Sequence, residues 1–128
     1  MRPHIVQPPD APKPVGPYSH AVRVGDFLFC SGQIPLNREG KLVEGGIREQ
    51  TRQVLQNIDG ILKDQGLSFE NVVKTTVFMT TLEEFADMNT VYSESFTNNF
   101  PARSTIQVAA LPRSARVEIE VIACYPTP

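Results

Sequence analysis

The clearest pattern of apolar and polar positions lies between residues 46 and 65, where it has the period of an α-helix. Apolar positions recur there at steps of three and four, so one side of the helix would be continuously apolar. The positions of this stripe are Ile47, Thr51, Val54, Leu55, Ile58, Ile61 and Leu62. Gly66 follows directly, where glycine commonly ends a helix. The pattern therefore predicts an amphipathic helix over 46–65.

A second, shorter helix is predicted after Met79. Thr81 is placed as its N-cap, and Glu84 follows three residues later, which is the spacing of a capping box. The apolar side of this helix would carry Leu82, Phe85, Met88 or Asn89, Tyr92 and Phe96. The helix must end before Pro101, because proline cannot continue it.

Five runs rich in β-branched and aromatic residues predict strands. They are residues 18–24, 27–31, 72–79, 103–109 and 116–125. Gly25 and Asp26 would form the tight turn of a first hairpin. Residues 111–114 would turn the last two runs into a second, antiparallel hairpin.

The order ββαβαββ predicts an α/β (α+β) fold, with one sheet covered on one face by two helices. We expect a single domain over residues 1–128, in which the proline-rich residues 1–15 form an extended lead-in. The far side of the last strand includes Glu118, Glu120 and Ile122, a mixture too apolar for water and too charged for a core. We therefore expect this second face to pack against copies of itself in a small ring.

Charge and composition exclude several classes of protein. Twelve basic and fourteen acidic residues give a net charge of −2 without a basic stripe, whereas nucleic-acid binders usually carry a basic face. No apolar run approaches the roughly 18–20 residues of a membrane span, and the N-terminus does not resemble a signal peptide. Cys30 and Cys124 lie in strand-like runs, which indicates reduced, buried thiols in a soluble cytoplasmic protein. A structural metal site is not expected from two cysteines and two histidines without close spacing.

No motif of a hydrolase elbow, phosphate loop, dinucleotide fold or zinc protease is present. Chemistry must therefore come from scattered polar residues, of which the candidates are Tyr18, Ser31, Asn89, Arg103, Ser104, Thr105, Glu118 and Glu120. Arg103 could bind a carboxylate with its planar guanidinium, or it could form a structural salt bridge. Glu118 stands among valines and isoleucines, so burial could raise its pKa and let it activate a water; alternatively it is an exposed strand residue.

Four further polar residues have both a functional and a structural interpretation. Tyr18 and Ser31 could flank one pocket, although a strand tyrosine more often has its hydroxyl bonded within the protein. His20 is more typical of a satisfied, half-buried histidine than of a base. Asn89 would more often bond a backbone group than a substrate. Together with Arg103 and Glu118, these residues indicate a pocket for an anion, but they do not indicate a particular reaction.

Seven segments of the chain resemble the RidA/YjgF family, and together they extend over nearly all of residues 14–124. The segments are GPYSHAV (16–22), SGQIPL (31–36), GGIREQTRQVLQNI (45–58), VVKTTVFM (72–79), FADMNTVY (85–92), FPARSTIQVAALP (100–112) and RVEIEVIA (116–123). The resemblance implies a chorismate-mutase-like fold and a homotrimer with three clefts between subunits. It also implies hydrolysis of reactive 2-imino acids, or their enamine tautomers, to 2-keto acids and ammonia. No metal or cofactor is implied.

The same resemblance assigns roles to individual residues. Arg103 would bind the substrate carboxylate, and Glu118 would position the attacking water. The cleft would be lined by Tyr18, Ser31, Gly32, Asn89, Pro101 and Thr105. Thr105 stands where some family members have cysteine, so no redox role is expected, while its backbone could still contact substrate.

The predicted final hairpin places Arg103 four residues along the ladder from Glu118, about 13 Å at roughly 3.3 Å per residue. An arginine spans about half of that distance. Either a bulge shifts the register, Glu120 is the nearer partner, or the two groups come from different subunits. We favour the intersubunit arrangement, which agrees with the expected ring.

The leading hypothesis is a 2-iminobutanoate/2-iminopropanoate deaminase that protects pyridoxal-phosphate enzymes from reactive intermediates. Alternatives are an endoribonuclease or translation inhibitor, as relatives have been described, a non-catalytic trimer that binds small carboxylates or acts as a holdase, and a paralogue acting on another imine. The acidic balance of the chain argues against the nucleic-acid alternative.

Overall fold

A computed structural model describes residues 2–127 and contains two α-helices and a six-stranded sheet. The elements are β1 (His4–Val6), β2 (Ala21–Val24), β3 (Phe27–Gln33), α1 (Ile47–Asp64), β4 (Val72–Met79), α2 (Phe85–Ser95), β5 (Ala102–Gln107) and β6 (Val117–Cys124). The strands lie in the order β1-β2-β3-β6-β4-β5, and every pair is antiparallel except β4 and β5. The sheet is therefore mixed, as the prediction of an α+β fold allowed.

Helix α1 confirms the strongest pattern of the sequence. All seven positions of the predicted stripe are buried, and Ile58, Ile61 and Leu62 are fully buried. At its beginning, the Glu49 carboxylate accepts a hydrogen bond from the Gly46 amide at 2.8 Å. Gly66 lies just beyond its end with a φ of 71°, in the left-handed region that glycine adopts without strain. The apolar stripe holds α1 on the sheet.

Helix α2 begins later than predicted. Thr81 caps a 3₁₀ turn (Leu82–Glu84), in which its Oγ1 accepts from the Glu83 amide at 3.2 Å. The predicted capping box is wrong, because the Glu84 carboxylate instead accepts from the Arg116 guanidinium at 2.8 Å. The α-helix starts at Phe85, so a tertiary ion pair takes the side chain that the local motif would have used.

Two features of the N-terminal region differ from the predicted elements. The lead-in contains a strand that was not predicted, because His4–Val6 forms an edge strand in which Val6 pairs with Ala21 and is buried. The run predicted as a strand over 18–24 is a strand only from Ala21. The turn at Gly25, with a φ of 58°, joins β2 to β3 as predicted. The fold thus has one more strand than the sequence predicted.

The predicted hairpin of the last two strands is wrong. Strand β6 inserts between β3 and β4, while β5 pairs in parallel with β4 on the other side. Arg103 and Glu118 therefore do not lie on neighbouring strands of one ladder, as the predicted hairpin had placed them. The physical reason is burial: β6 carries four fully apolar inward positions and suits the centre, whereas the more polar β5 suits an edge.

The helices cover only one face of the sheet. Val117, Ile119, Val121 and Ala123 of β6 lie beneath them with at most 1% exposure. On the opposite face, which we call the open face, large apolar side chains remain about half exposed; they include Phe27, Phe29 and Ile106. The prediction of a sheet covered on one side by two helices is confirmed.

The two cysteines are free thiols on different faces. Cys30 is buried, and burial raises the pKa of its thiol to about 12. Cys124 alternates with the buried Ala123 and is only half-buried, so the prediction of two buried thiols holds for Cys30 alone. Within residues 2–127, neither helix combines the length and apolar character needed to cross a membrane.

Candidate functional site

Arg103 lies on the edge strand β5 and turns toward helix α2. Its strand neighbour is Thr75, which is fully buried on the helix-covered side of the sheet. The guanidinium Nη1 donates to Asn89 Oδ1 at 2.7 Å. The guanidinium carbon also lies 4.8 Å from the ring centre of Tyr92 and 5.5 Å from that of Phe85, within the range of cation–π attraction. One amide and two aromatic rings thus support the cation.

The supporting residues share one side of α2. Phe85, Asn89, Tyr92 and Phe96 follow at steps of four, three and four, which brings them onto one helix face. Of the positions predicted for the apolar side, Met88, Tyr92 and Phe96 are buried, whereas Leu82 and Phe85 are exposed; Val91, which was not predicted, is also buried. The interpretation of Asn89 as a partner for a backbone group is wrong, because its carbonyl accepts from Arg103.

Arg103 has no acidic partner among residues 2–127: the ion pairs of this part of the chain all involve other cations. The structural salt bridge that the sequence left open is therefore wrong. The guanidinium borders a hollow of about 300 Å³ whose other walls include Asn89, Tyr92, Phe96, Phe100 and Pro101. Phe100 is 74% exposed at its rim. An unpaired cation beside aromatic walls suits a small carboxylate with an apolar part.

Tyr92 and Thr75 are members of this site that the sequence did not single out. Tyr92 is buried, and its hydroxyl is hydrogen-bonded to Thr75 Oγ1 at 2.9 Å. Burial raises the pKa of the Tyr92 phenol, while the bond to Thr75 and the charge of Arg103 act in the opposite direction. The sequence feature that could have identified Tyr92 as a site residue was the helical period of α2, which places Tyr92 three residues after Asn89 on the same face.

Thr105 occupies the next position on the same side of β5 as Arg103. It pairs with Val77, and its Oγ1 is buried without a hydrogen-bond partner within residues 2–127. Ser104 points the other way and accepts a hydrogen bond from Lys74 Nζ at 3.3 Å on the open face. Of the two, only Thr105 shares the face of Arg103.

Glu118 lies on the open face, where it pairs across the strands with Phe78. It is half-buried, and this burial raises the pKa of its carboxyl, with the charge of Glu120 adding to the effect. Glu120 is exposed beside Thr76. A raised pKa makes the Glu118 carboxylate a stronger base, which suits it to take a proton from water.

Gly32 provides the space that the Glu118 carboxylate occupies. A Cβ added to Gly32 would overlap that carboxylate, so no other residue fits here without displacing it. The sheet has a register shift at this point, because Cys30 pairs with Val121 and Gln33 with Ile119, which leaves two residues of β3 opposite one of β6. Such a bulge re-aims the strand beside the carboxylate.

Ser31 and Tyr18 lie next to Gly32. The Ser31 hydroxyl donates to the Ser19 carbonyl at 2.6 Å and so holds the segment that carries Tyr18. Tyr18 is 44% exposed and lines a small hollow with Gly32, and its hydroxyl accepts from the Val15 amide at 3.2 Å. These residues and Glu118 form a second cluster around the bulge.

His20 has a structural role. Its ring is buried, with Nδ1 2.6 Å from Gln7 Oε1 and Nε2 in contact with the Pro12 carbonyl oxygen. Both ring nitrogens thus contact oxygen atoms of the lead-in, which supports a structural role for His20, although the residue is buried and not half-buried as predicted.

The candidate residues therefore form two groups on opposite faces of one sheet. The Arg103 group, with Asn89, Pro101 and Thr105, lies on the helix-covered side, whereas Glu118 lies on the open side with the cluster around Gly32. One small molecule cannot touch both groups within one chain, because the sheet lies between them. Within residues 2–127, no three His, Cys, Asp or Glu side chains are grouped closely enough to hold a metal ion.

Comparisons with known proteins agree closely with this fold. A profile of the family described as Endoribonuclease L-PSP matches residues 8–125. A RutC family protein of Pyrococcus abyssi is 47% identical over 96% of this chain and 98% of its own length. The human protein named 2-iminobutanoate/2-iminopropanoate deaminase is 45% identical over 93% of this chain and 88% of its own.

A solved structure extends the agreement to the backbone. The crystal structure of Escherichia coli TdcF with bound serine matches with a TM-score of 0.90 at 38% identity, covering 96% of this chain and 99% of TdcF. The chain belongs to the Endoribonuclease L-PSP family, which is the RidA/YjgF family that its sequence motifs predicted.

Proposed function

We propose that this protein hydrolyses reactive 2-imino acids, such as 2-iminobutanoate and 2-iminopropanoate or their enamine tautomers, to 2-keto acids and ammonia. This reaction would protect pyridoxal-phosphate enzymes from such intermediates. The human relative at 45% identity carries the name of this activity. Its substrates are small carboxylates with short apolar chains, which is the chemistry that suits the hollow beside Arg103.

The observation that carries the proposal is the unpaired guanidinium of Arg103. Within residues 2–127 it has no carboxylate partner, although Asn89, Tyr92 and Phe85 hold it in place beside an open hollow. A guanidinium offers two parallel N–H donors to a carboxylate, which fixes the substrate in position as well as in orientation. TdcF, crystallised with bound serine, supports the binding of a small amino-acid-like carboxylate in this fold.

The complete cleft requires a second copy of the chain, and we propose a chorismate-mutase-like homotrimer. Arg103 and Glu118 lie on opposite faces, so the Arg103 face of one subunit must meet the open face of another. The open face also exposes Phe27, Phe29 and Ile106, which are unusual for a surface in contact with water. Burial of these side chains would stabilise the assembly that also completes three clefts.

The chemistry needs few groups, because a protonated imine is already a strong electrophile. With the carboxylate held by Arg103, a water oxygen bonds to the imine carbon and the C=N electron pair moves to nitrogen. Glu118 takes the proton from this water, which leaves a carbinolamine. The proton returns to nitrogen, the C–N bond breaks, and the carbinol proton leaves with ammonia, so that one water and one iminium ion give one keto acid and one ammonium ion.

Ribonuclease action is the second candidate, because the description of the matching family names it. A net charge of −2 does not favour it, since phosphate contacts with basic residues supply most of the affinity for RNA.

We also propose a cytoplasmic location, in agreement with two free thiols.

Replacement of Arg103 tests the carboxylate clamp. We expect Arg103→Ala to lower kcat/KM by on the order of 100-fold, since two charge-assisted hydrogen bonds are lost. Arg103→Lys should recover part of this loss, because lysine keeps the charge without the planar fork. The assay is release of 2-oxobutanoate and ammonia when a threonine dehydratase supplies the imine. Unchanged kcat/KM in Arg103→Ala would refute the clamp.

The pH dependence of kcat/KM tests the role of Glu118. The carboxylate form is the active base, and activity is lost as the pH falls through its pKa. Because burial raises this pKa, the acidic limb should lie above the pH at which an ordinary glutamate titrates, about 4.3. Glu118→Gln should remove the acidic limb and most of the enzymatic rate. The rate of uncatalysed hydrolysis is measured and subtracted at each pH. Glu120→Gln should keep the limb but move it to lower pH, because the Glu120 charge contributes to the shift. An unaltered limb in Glu118→Gln would assign the base elsewhere.

Gly32→Ala tests the space beneath the Glu118 carboxylate. The added methyl group should displace this carboxylate and lower kcat by roughly 10- to 100-fold, with a much smaller effect on binding of 2-oxobutanoate at Arg103. Gly60→Ala makes the same chemical change on α1 in open space, and we expect unchanged kcat with a gain of about 0.5–1 kcal/mol in the free energy of unfolding. Equal kcat values for the two variants would contradict the argument.

Mixed oligomers test whether each cleft takes its residues from two subunits. Arg103→Ala and Glu118→Gln chains, each inactive alone, are unfolded together in equal amounts and refolded. About one quarter of the clefts should then combine an intact arginine from one subunit with an intact glutamate from another. Recovery of about that fraction of the refolded wild-type activity is expected, together with a trimeric mass by light scattering. No recovery, while refolded wild type regains activity, would place both groups in one subunit.

A further inference from the structure

We infer that Tyr92 and Thr75 act as a positioning pair that holds the Arg103 guanidinium in the orientation in which it binds the substrate carboxylate. This inference rests on the proposed function, because it assigns a role within the same clamp. It adds two residues that do not themselves need to touch the substrate.

The first step of the argument is the position of the Tyr92 ring. The guanidinium carbon lies 4.8 Å from its centre, and the Phe85 ring lies at 5.5 Å. Asn89 accepts from Nη1, and the guanidinium borders the hollow. The orientation of the guanidinium is thus set by the ring beside it and by one amide.

The second step is what holds the ring. Its Phe96 neighbour stacks on it with ring centres 4.5 Å apart, which limits tilting. Its hydroxyl is bonded at 2.9 Å to Thr75 Oγ1, and both side chains are buried. Thr75 is the residue of β4 that lies directly beside Arg103 of β5. The hydrogen bond therefore ties the ring to the strand position next to the one that carries the guanidinium.

The third step concerns why a hydroxyl is used at this buried position. Phenylalanine would fill the same space and would keep the aromatic face, as Phe85 and Phe96 do on the same helix. With phenylalanine, however, the buried Thr75 hydroxyl would lack its hydrogen-bond partner, and an unpaired buried hydroxyl destabilises the fold. Because burial also raises the pKa of Tyr92, the phenol remains neutral and keeps this bond at physiological pH. A fixed ring presents the cation in one place, which matters for a two-point contact with a carboxylate.

The test uses Tyr92→Phe, with Tyr125→Phe as the matched control. Tyr125 is also buried, and its hydroxyl donates to Gln65 Oε1 at 2.6 Å, away from the Arg103 hollow. We expect Tyr92→Phe to raise KM for the imine and Kd for 2-oxobutanoate by about 5- to 10-fold while kcat changes by less than about twofold. The Kd for the corresponding neutral amide should not change in parallel, because the amide lacks the charge that the clamp binds. Tyr125→Phe should leave all of these values unchanged.

Thr75 variants provide a second, independent measurement. Thr75→Val should raise Kd for 2-oxobutanoate as Tyr92→Phe does, and the double variant should be no worse than either, since both remove one bond. Thr75→Ser keeps the hydroxyl and should restore wild-type Kd. The Kd values are compared among variants whose thermal unfolding temperature matches that of Tyr125→Phe. A higher Kd then reports displacement of the Arg103 guanidinium and not partial unfolding of the protein.

The possible results separate the inference from the proposed function. If Arg103→Ala abolishes keto-acid binding but Tyr92→Phe and Thr75→Val bind it like Tyr125→Phe, the positioning pair is refuted and the clamp survives. Equal weakening of keto-acid and amide binding would also refute it, because that pattern indicates general damage to the hollow. If Arg103→Ala itself binds 2-oxobutanoate normally, the clamp and the proposed function fail together.

Discussion

The arrangement of this protein depends on the alternation of side chains across the central strand β6. Its odd-numbered residues, from Val117 to Ala123, fill the core under the helices, so its even-numbered residues must face outward. This constraint places Glu118 on the open face, while the parallel pairing of β5 with β4 turns Arg103 toward α2. The two groups that the proposed reaction needs are therefore separated by the thickness of the sheet. Association of subunits is the direct way to bring them together.

Neither charged group has a partner of opposite charge within residues 2–127. Arg103 rests on aromatic rings without an acidic partner among residues 2–127, and Glu118 is a half-buried carboxylate next to a second negative charge. Unpaired charges in such positions are retained where a ligand or a reaction uses them. In the proposed reaction, the substrate carboxylate would pair with the guanidinium, and the attacking water would give its proton to the glutamate. The Tyr92–Thr75 bond and the space above Gly32 keep each group in place until then.

Part of this could be predicted from the sequence, and particular residues show where prediction failed. The period of α1 and the β-branched run of β4 were identified within one residue, because local patterns determine them. Thr81 illustrates the limit, since its expected capping partner Glu84 pairs with Arg116, far along the chain. Residues 103–125 illustrate it again: neighbouring strands usually pair, but the apolar β6 lies in the centre and the polar β5 at the edge. The sequence did contain one indication that β4 and β5 pair in parallel. A helix was predicted between them, and parallel strands need such a crossover connection.

By itself, the sequence determined the two helices, five of the six strands, the family and the chemical types of the site residues, since these follow from local periodicity and from motifs read along the chain. Only the tertiary structure decided which strands are neighbours, and hence which face each residue occupies. It showed that Arg103 rests on Tyr92 and Asn89, that Gly32 makes room for Glu118, and that these two groups lie on opposite sides. The physical reason is that strand order and register depend on how the whole sheet buries its apolar positions, which no short segment encodes.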